Sequence, residues 1–153
     1  MDVLTHKIKI RTTPARIWNF FKEMDDKKYL LWHPQDHVSF KWVKGKPMEE
    51  GSVARFEEYL HGKLHKMSVK YLKAVPNKLI EFTMVNPPFW NIFYPKSSFE
   101  IKKEGNYCYF IAKNYFRIGI FKFFFSSLID KQVDSIMKHM KEEGENLKKL
   151  MEK

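Results

Sequence analysis

The sequence predicts an α+β fold in which a curved antiparallel sheet of about seven strands wraps round a long C-terminal helix. Short apolar/polar alternations joined by short turns, from Val38 to Tyr115, indicate an antiparallel meander. The final segment follows the helical period instead, and a strand and two short helices precede the meander. No repeat or linker divides the 153 residues, so we expect a single domain over residues 1–153.

Composition excludes several classes of protein. Hydrophobic residues make up 44% of the chain and aromatic residues 16%, which excludes intrinsic disorder. The single cysteine, Cys108, excludes an intramolecular disulfide and a cysteine-based zinc site, and we expect it to act as a small buried hydrophobe. No secretory signal is recognised at the N-terminus, so a cytoplasmic location is the default expectation.

Net charge is the other prominent feature of the composition. The chain has 28 Lys and Arg against 18 Asp and Glu, a formal net charge of +10 that at first suggests a polyanionic partner. The lysines are spread along the chain, however, and no nucleic-acid-binding motif is present. We therefore predict no nucleic-acid partner and interpret the charge as a contribution to solubility.

The N-terminal part predicts one strand and two short helices. Residues 3–11 alternate as a strand does. Thr13 is suited to cap a helix with Pro14 at its first position, and the apolar spacing continues to residue 22 or 24. Asp25 and its neighbour suit the start of a second helix over residues 27–31, which a loop follows.

Period-two alternation predicts the remaining strands, each ended by a turn. An aromatic, loop-like segment at residues 86–95 interrupts them, and Gly105 lies in the turn of the last hairpin. The predicted strands are residues 38–44, 52–60, 64–75, 79–85, 97–103 and 107–115.

The C-terminal segment from Phe125 to Met151 predicts one helix of about seven turns. Its apolar positions form one stripe, which consists of Ile129, Val133, Ile136, Met140, Gly144, Leu147 and Met151. The opposite side is charged and consists of Lys138, Lys141, Glu142, Glu145 and Lys149.

An apolar stretch from Phe116 to Ile129 overlaps the start of this helix. Arg117 and Lys122 interrupt it, and it is shorter than the roughly 20 apolar residues of a membrane-spanning helix, so we expect no stable membrane insertion. We interpret the stretch as a buried element that leads into the core helix. The alternative is a hydrophobic lip that contacts lipid or an apolar ligand.

The C-terminal helix also carries a candidate pair of metal ligands. His139 and Glu143 are one turn apart at the edge of the apolar stripe, so both side chains can reach one metal ion. The alternative is an exposed pair that contributes a few tenths of a kcal/mol to the helix. His33 and His37, in or beside the loop after the second short helix, are further candidates.

A strand carboxylate is the remaining candidate. Side chains alternate along a strand, so only one of Glu57 and Glu58 faces the interior, and Glu58 shares the apolar face with Phe56 and Leu60. A carboxylate on an apolar face needs a partner or a cation. The alternative is an edge charge paired with a nearby cation. His6, His61 and His65 are interpreted as surface or turn residues.

The whole chain resembles the START-type helix-grip superfamily of polyketide cyclases and pollen allergens. The resemblance rests on the sequence from Thr13 to Trp18 at the first helix, the sequence from Gly51 to Phe56 in a strand, and the long final helix. It implies a helix-grip fold with a cavity between sheet and helix. The commoner use of this fold is non-catalytic binding of a hydrophobic small molecule or lipid.

A narrower resemblance is to the diacetylphloroglucinol hydrolase family, whose members are metal-dependent enzymes. The matching motifs are His-Pro-Gln-Asp-His at residues 33–37, Glu-Glu-Tyr-Leu-His-Gly at residues 57–62 and His-Met-Lys-Glu-Glu at residues 139–143. The resemblance implies zinc ligands from His37, Glu58, His139 and Glu143, with His33 and Glu57 as the alternatives. It also implies that Tyr29 binds the substrate.

The function implied is hydrolysis of a small hydrophobic or phenolic carbonyl compound. In the resembled reaction, hydroxide attacks an aryl ketone and the bond to the ring breaks, which releases a carboxylic acid. His33, Tyr29 and Tyr59 are the candidate acids that protonate the ring carbon.

Two imidazoles and two carboxylates suit Zn²⁺, with Fe²⁺, Mn²⁺ and Co²⁺ as alternatives. The expected partner is a small hydrophobic or aromatic ligand, and both monomer and homodimer stay open.

Overall fold

The computed structural model describes residues 1–119 and 121–153. The strands are β1 (Asp2–Ile10), β2 (His37–Lys44), β3 (Val53–Leu60), β4 (Lys63–Val75), β5 (Leu79–Asn86), β6 (Lys96–Glu104) and β7 (Tyr107–Phe116). The helices are α1 (Pro14–Lys22), α2 (Asp26–Trp32), α3 (Trp90–Phe93) and α4 (Phe121–Met151).

The predicted α+β helix-grip architecture is confirmed. Within the described residues, the strands form one curved antiparallel sheet of 7 strands in the order β1-β7-β6-β5-β4-β3-β2. Strands β2 to β7 form the predicted meander, and β1 returns to pair with β7. The long helix α4 packs against β1 and β7, so the sheet and α4 enclose the interior of the protein.

Both short helices begin at the predicted capping residues. The Thr13 hydroxyl accepts a hydrogen bond from the backbone N–H of Arg16 at 3.4 Å, and Pro14 is the first residue of α1. The Asp25 carboxylate accepts a hydrogen bond from the backbone N–H of Lys28 at 2.8 Å. These caps satisfy N–H groups that have no partner within their own helix.

Most predicted boundaries agree with the structure to within one residue, and two features differ more. The loop-like segment at residues 86–95 contains the single-turn helix α3. Helix α4 begins at Phe121 and not at Phe125, and it is kinked at Phe125, where φ is −131° and ψ is 33°. The kink turns the first turn of α4 out of line with the rest of the helix. Hydrophobic periodicity did not show it, because apolar residues occur on both sides of the kink, with Phe123 and Phe124 before it and Leu128 and Ile129 after it.

The prediction of a buried element between Phe116 and Ile129 is wrong for most of its length. Phe116 is buried, but the side chains of Phe123 and Phe124 are 86% and 68% exposed. Ile120, in the same stretch, lies outside the described residues. In the part of the chain that the structure describes, no helix combines the length and the apolar character that a membrane crossing requires.

The apolar stripe of α4 is buried most deeply in its C-terminal half. Met140 and Leu147 are buried, whereas the stripe residues before Met140 are half-buried. Ile136 lines the cavity between the sheet and α4, and Ile129 and Val133 line a groove nearer the start of α4. Gly144 permits a close approach to β1, because a Cβ atom at this position would lie 2.7 Å from Nε2 of His6. The interpretation of His6 as a surface residue is therefore wrong, since its imidazole packs against α4.

Candidate metal centre

Four side chains from three elements converge between the sheet and α4. His37 is the first residue of β2, and the antiparallel register places it directly opposite Glu58 of β3. His139 and Glu143 project from α4 one turn apart. The structure thus brings together the four residues for which the sequence predicts metal binding, although they span more than a hundred positions of the chain.

The potential ligand atoms are close enough to share one ion. Nε2 of His37 lies 3.0 Å from Oε1 of Glu143 and 3.6 Å from Oε2 of Glu58. Nε2 of His139 lies 3.2 Å and 3.9 Å from the same two oxygen atoms. One such atom from each of the four residues lies within 4.8 Å of all the others, which is compatible with coordination of one metal ion.

The outer nitrogen of each imidazole faces an oxygen acceptor. Nδ1 of His37 lies 2.9 Å from the backbone oxygen of Tyr29, and Nδ1 of His139 lies 3.3 Å from Oδ2 of Asp36. Since these oxygens only accept, each Nδ1 carries the proton, and Nε2 is the nitrogen directed at the cluster. Protein metal sites use this arrangement to fix the tautomer and orientation of a histidine ligand.

Burial and charge pairing shift the pKa values within the cluster in different directions. Burial raises the pKa of Glu58 above its usual value. Burial also opposes ionisation of Glu143, but attraction to His139 and hydrogen bonds from His139 and His37 outweigh it and hold the pKa of Glu143 well below its usual range. Burial lowers the pKa of His139, yet neighbouring carboxylates raise it to about 10. An imidazolium at His139 therefore supplies the positive charge that a divalent ion would otherwise supply.

Tyr29 and Trp32, both in α2, form hydrogen bonds with two residues of the cluster. The Tyr29 hydroxyl donates a hydrogen bond to Oε2 of Glu58 at 2.5 Å, and its ring stacks on that of His37 with 3.8 Å between the centroids. Burial, together with the charge of Glu58, raises the pKa of Tyr29 well above its usual value, so this hydroxyl stays protonated. The indole N–H of Trp32 donates to the backbone oxygen of Glu143 at 3.0 Å.

Neither alternative ligand belongs to the four-residue cluster, although His33 forms a second compact group with Asp36 and His139. Glu57 pairs with Ser39 across the sheet, and strand alternation turns its side chain to the face opposite Glu58. His33 is buried, and its Nδ1 accepts a hydrogen bond from the backbone N–H of Asp36, so its Nε2 donates to Glu142 at 2.9 Å. Among the described residues that line the adjacent cavity, Tyr29 is present and His33 is not.

The four-residue cluster borders a cavity of about 210 Å³ between the sheet and α4. Glu58, His139 and Glu143 form part of its wall, while most of the remainder is aromatic or aliphatic. The principal apolar residues of the wall are Phe21, Phe40, Phe56, Tyr71, Phe82 and Phe99. A compound in this cavity would therefore have an apolar body with a polar group directed at the cluster.

Sequence reasoning missed three residues of this region. His65 lines the cavity, contrary to its interpretation as a surface or turn residue, and alternation with Met67 could have shown this. Asp36 and Glu142 contact His139 and His33 respectively. Helical periodicity placed Glu142 on the solvent side, because it does not show where the loop before β2 packs against α4.

Comparisons with known proteins show the fold of this chain. Neither a protein-family model nor a curated protein matches the sequence. The Aha1 dimer from Colwellia psychrerythraea, solved in solution, is similar with a TM-score of 0.62, 17% identity, and coverage of 99% of this chain and 97% of that one. Norcoclaurine synthase from Thalictrum flavum, in complex with dopamine and hydroxybenzaldehyde, has a TM-score of 0.63 at 14% identity, covering 92% of this chain and 87% of its own.

A third structure is similar over nearly the whole length of both chains. Ginseng major latex-like protein 151 from Panax ginseng has a TM-score of 0.66 at 10% identity, with coverage of 98% of this chain and 97% of that chain. At these identities, the likenesses show a shared helix-grip fold.

Proposed function

We propose that the protein is a zinc-dependent hydrolase of a small hydrophobic or phenolic carbonyl compound. The observation that carries the proposal is the convergence of His37, Glu58, His139 and Glu143 at the wall of an apolar cavity. The sequence resemblance to the diacetylphloroglucinol hydrolase family supports a specific reaction, cleavage of the C–C bond between an acyl group and a phenolic ring.

The donor set fits the proposed metal. Two imidazole nitrogens and two carboxylate oxygens are donors that Zn²⁺ binds, and Fe²⁺, Mn²⁺ and Co²⁺ accept the same donors. Both histidines have their outer nitrogen engaged by an oxygen, which leaves the inner nitrogen for the ion. When bound, zinc supplies a Lewis acid that polarises a carbonyl group and activates water near neutral pH.

The protein itself would bind and orient the substrate. The cavity of about 210 Å³ is smaller than the roughly 300–1,000 Å³ of pockets for drug-sized ligands, so it suits a compound with a single ring. Its aromatic wall would hold the ring and exclude bulk water. Of the described residues, Tyr29 and His65 line the cavity beside Glu58. Because the Tyr29 hydroxyl donates to Glu58, the proposal assigns Tyr29 to positioning this carboxylate and favours His65 over His33 as the acid.

The second candidate function is non-catalytic binding of a hydrophobic small molecule. It is favoured by the predominance of apolar side chains in the cavity wall. Norcoclaurine synthase, which has the same fold, was solved with the phenolic compounds dopamine and hydroxybenzaldehyde, so the fold accommodates small aromatic ligands. In this alternative, the four-residue cluster is an ion-pair network balanced by the proton on His139.

Metal content distinguishes the two candidates. The protein is purified without added metal, and zinc is measured in the wild type and in His139→Ala and Glu143→Ala. Glu145→Ala is the matched control, because Glu145 is exposed on the same helix. The metal centre predicts stoichiometric zinc in the wild type and the control and its loss in both site variants. Folded, metal-free wild-type protein that also fails to bind added zinc contradicts the centre and favours the binding protein.

The reaction is tested separately on zinc-loaded protein. A set of acylated phenols is incubated with the zinc-loaded wild type and with Glu143→Ala as the zinc-deficient reference, and release of the carboxylic acid is followed by chromatography. The proposed hydrolase releases acid with the wild type alone. Tight binding of the same compounds without any turnover would instead support the non-catalytic function.

A further inference from the structure

We propose that an exposed apolar surface beside the cavity docks the protein on bilayers that contain anionic phospholipids. This surface, the apolar lip, has two halves. The half around α3 consists of Phe89, Trp90, Ile92 and Phe93, and the half at the start of α4 consists of Phe121, Phe123, Phe124, Phe125 and Leu128. The proposal is independent of the metal centre.

The exposure of these side chains is unusual for a surface in water. Phe89 is 72% exposed, and Phe123 and Phe124 are more than half exposed as a T-shaped pair with 5.4 Å between their ring centroids. Single exposed apolar residues are ordinary, but contiguous apolar surfaces of this kind mark sites of interaction. Transfer of the exposed rings into the interfacial region of a bilayer removes their apolar area from water.

The two halves of the lip form one surface. The backbone N–H of Arg117, just before α4, donates a hydrogen bond to the backbone oxygen of Phe93 at 2.9 Å. The rings of Phe93 and Phe121 also contact each other, with 5.5 Å between their centroids. Between the halves lies a groove of about 420 Å³. Both halves can therefore enter the same membrane face together.

The charge around the lip favours an anionic membrane. Arg117 and Lys122 are exposed at the lip, and neither forms an ion pair within residues 1–119 and 121–153. The sequence contains no Asp or Glu from residue 82 to residue 99 or from residue 105 to residue 129. Cations next to exposed aromatic residues are the combination that binds anionic headgroups and the acyl boundary together.

The same charges disfavour a dimer in which the lip binds a second copy of the chain. A two-fold interface brings the same surface of both subunits together. A dimer formed through the lip would therefore bring Arg117 and Lys122 of both subunits into one interface, with no carboxylate of the two lip segments to balance them. Repulsion between these cations makes the anionic membrane the better partner.

The groove of the lip adjoins the inner cavity, so docking would place the entrance to the cavity at the membrane. Trp90, Tyr94 and Phe116 line both the groove of the lip and the inner cavity next to the four-residue cluster. A protein docked through the lip presents the groove to the lipid. A hydrophobic compound dissolved in the bilayer could then reach the cavity without passing through water.

Vesicle flotation tests the proposal. Phosphatidylcholine vesicles, with or without phosphatidylglycerol, are mixed with the protein at about 0.15 M salt. We expect binding to the anionic vesicles. Phe123→Ser/Phe124→Ser should lower the partition coefficient at least about tenfold. Arg117→Gln/Lys122→Gln should lower it about 25-fold, or about fivefold for each cation. Both pairs are exposed, so circular dichroism should stay unchanged.

The controls change exposed residues elsewhere, although Val43 and Leu72 are less exposed than the two phenylalanines. Val43→Ser/Leu72→Ser removes exposed apolar side chains from β2 and β4, and Lys141→Gln/Lys149→Gln removes two exposed cations from the far part of α4. Neither control should alter flotation.

The proposal is overturned if the wild type does not float with anionic vesicles, or if the phenylalanine variant floats as well as the wild type does. It is also overturned if sedimentation shows a dimer that the phenylalanine variant abolishes while no vesicle binding occurs. None of these results depends on zinc, so they leave the proposed hydrolase unaffected.

Discussion

The carboxylate of Asp36 lies 3.3 Å from Nδ1 of His139, on the side of the ring that faces away from Glu143. Asp36 belongs to the loop before β2, and His139 belongs to α4, so this contact joins the two parts of the chain that supply the histidines of the cluster. A carboxylate in this position fixes the orientation of the imidazole and increases its basicity.

Asp36→Ala should therefore weaken zinc binding about 10- to 100-fold without removing a ligand. Asp36→Asn should have a smaller effect, because its amide oxygen still accepts the hydrogen bond from Nδ1. Zinc affinity is measured by competition with a chromophoric chelator. Asp130→Asn, at an exposed position of α4, is the control and should bind as the wild type does. Equal affinity in Asp36→Ala would show that the contact does not act through His139.

Tyr29→Phe should destabilise the fold while preserving its packing. The variant keeps the ring that stacks on His37 but removes the hydroxyl that donates to Glu58, which is buried. Loss of a hydrogen bond to a buried carboxylate lowers the free energy of unfolding by about 1–3 kcal/mol. Urea denaturation of metal-free protein measures this change, and added zinc should reduce it, because the ion binds the same carboxylate.

The control for this experiment is Tyr59→Phe. Tyr59 is the neighbour of Glu58 in β3 but points outward and is exposed, so removal of its hydroxyl should change the free energy of unfolding by less than about 0.5 kcal/mol. Equal losses in the two variants would mean that the hydrogen bond to Glu58 contributes nothing specific.

Cys108 should resist thiol reagents in the folded protein. Its side chain is completely buried, its Sγ lies 3.3 Å from the backbone oxygen of Thr12, and burial raises the pKa of the thiol. Both access and the thiolate fraction are therefore reduced at neutral pH. A disulfide-exchange reagent should react at least about 100-fold faster after unfolding in urea. Rapid reaction of the native protein would show that β7 opens locally.

Local signals allowed much of the fold to be predicted. Thr13 and Asp25 cap their helices through side chains only three residues away from the groups they bind, so short sequence patterns carry the information. Strand alternation likewise distinguished Glu58 from Glu57, because it depends only on the two-residue period and the neighbouring apolar residues.

Features that depend on tertiary packing could not be predicted in the same way. The contact of Asp36 with His139 joins residues from distant parts of the chain, and no local period encodes it. The phenylalanines from Phe121 to Phe125 were expected inside because apolar residues are usually buried, but whether a neighbouring element covers them depends on the path of the whole chain.

Gly144 and His6 provide a test of how closely α4 approaches the sheet. Glycine inside a helix is ordinarily about 1 kcal/mol less favourable than alanine. At this position, however, an added Cβ would lie 2.7 Å from Nε2 and 2.8 Å from Cδ2 of the His6 ring, so the ring or the helix has to shift. Gly144→Ala should therefore raise the free energy of unfolding by less than about 1 kcal/mol, or lower it.

A double-mutant cycle isolates this contact. In a His6→Ala background the ring is absent, and Gly144→Ala should then raise the free energy of unfolding by about 1 kcal/mol. The coupling energy between the two substitutions should be about 0.5–3 kcal/mol, as measured by urea denaturation of the four proteins. Ile8, 3.6 Å from the same Cβ position, is in ordinary contact and stays unchanged. Additive effects would mean that His6 does not limit the approach of α4 to β1, because its ring can rotate away at no cost.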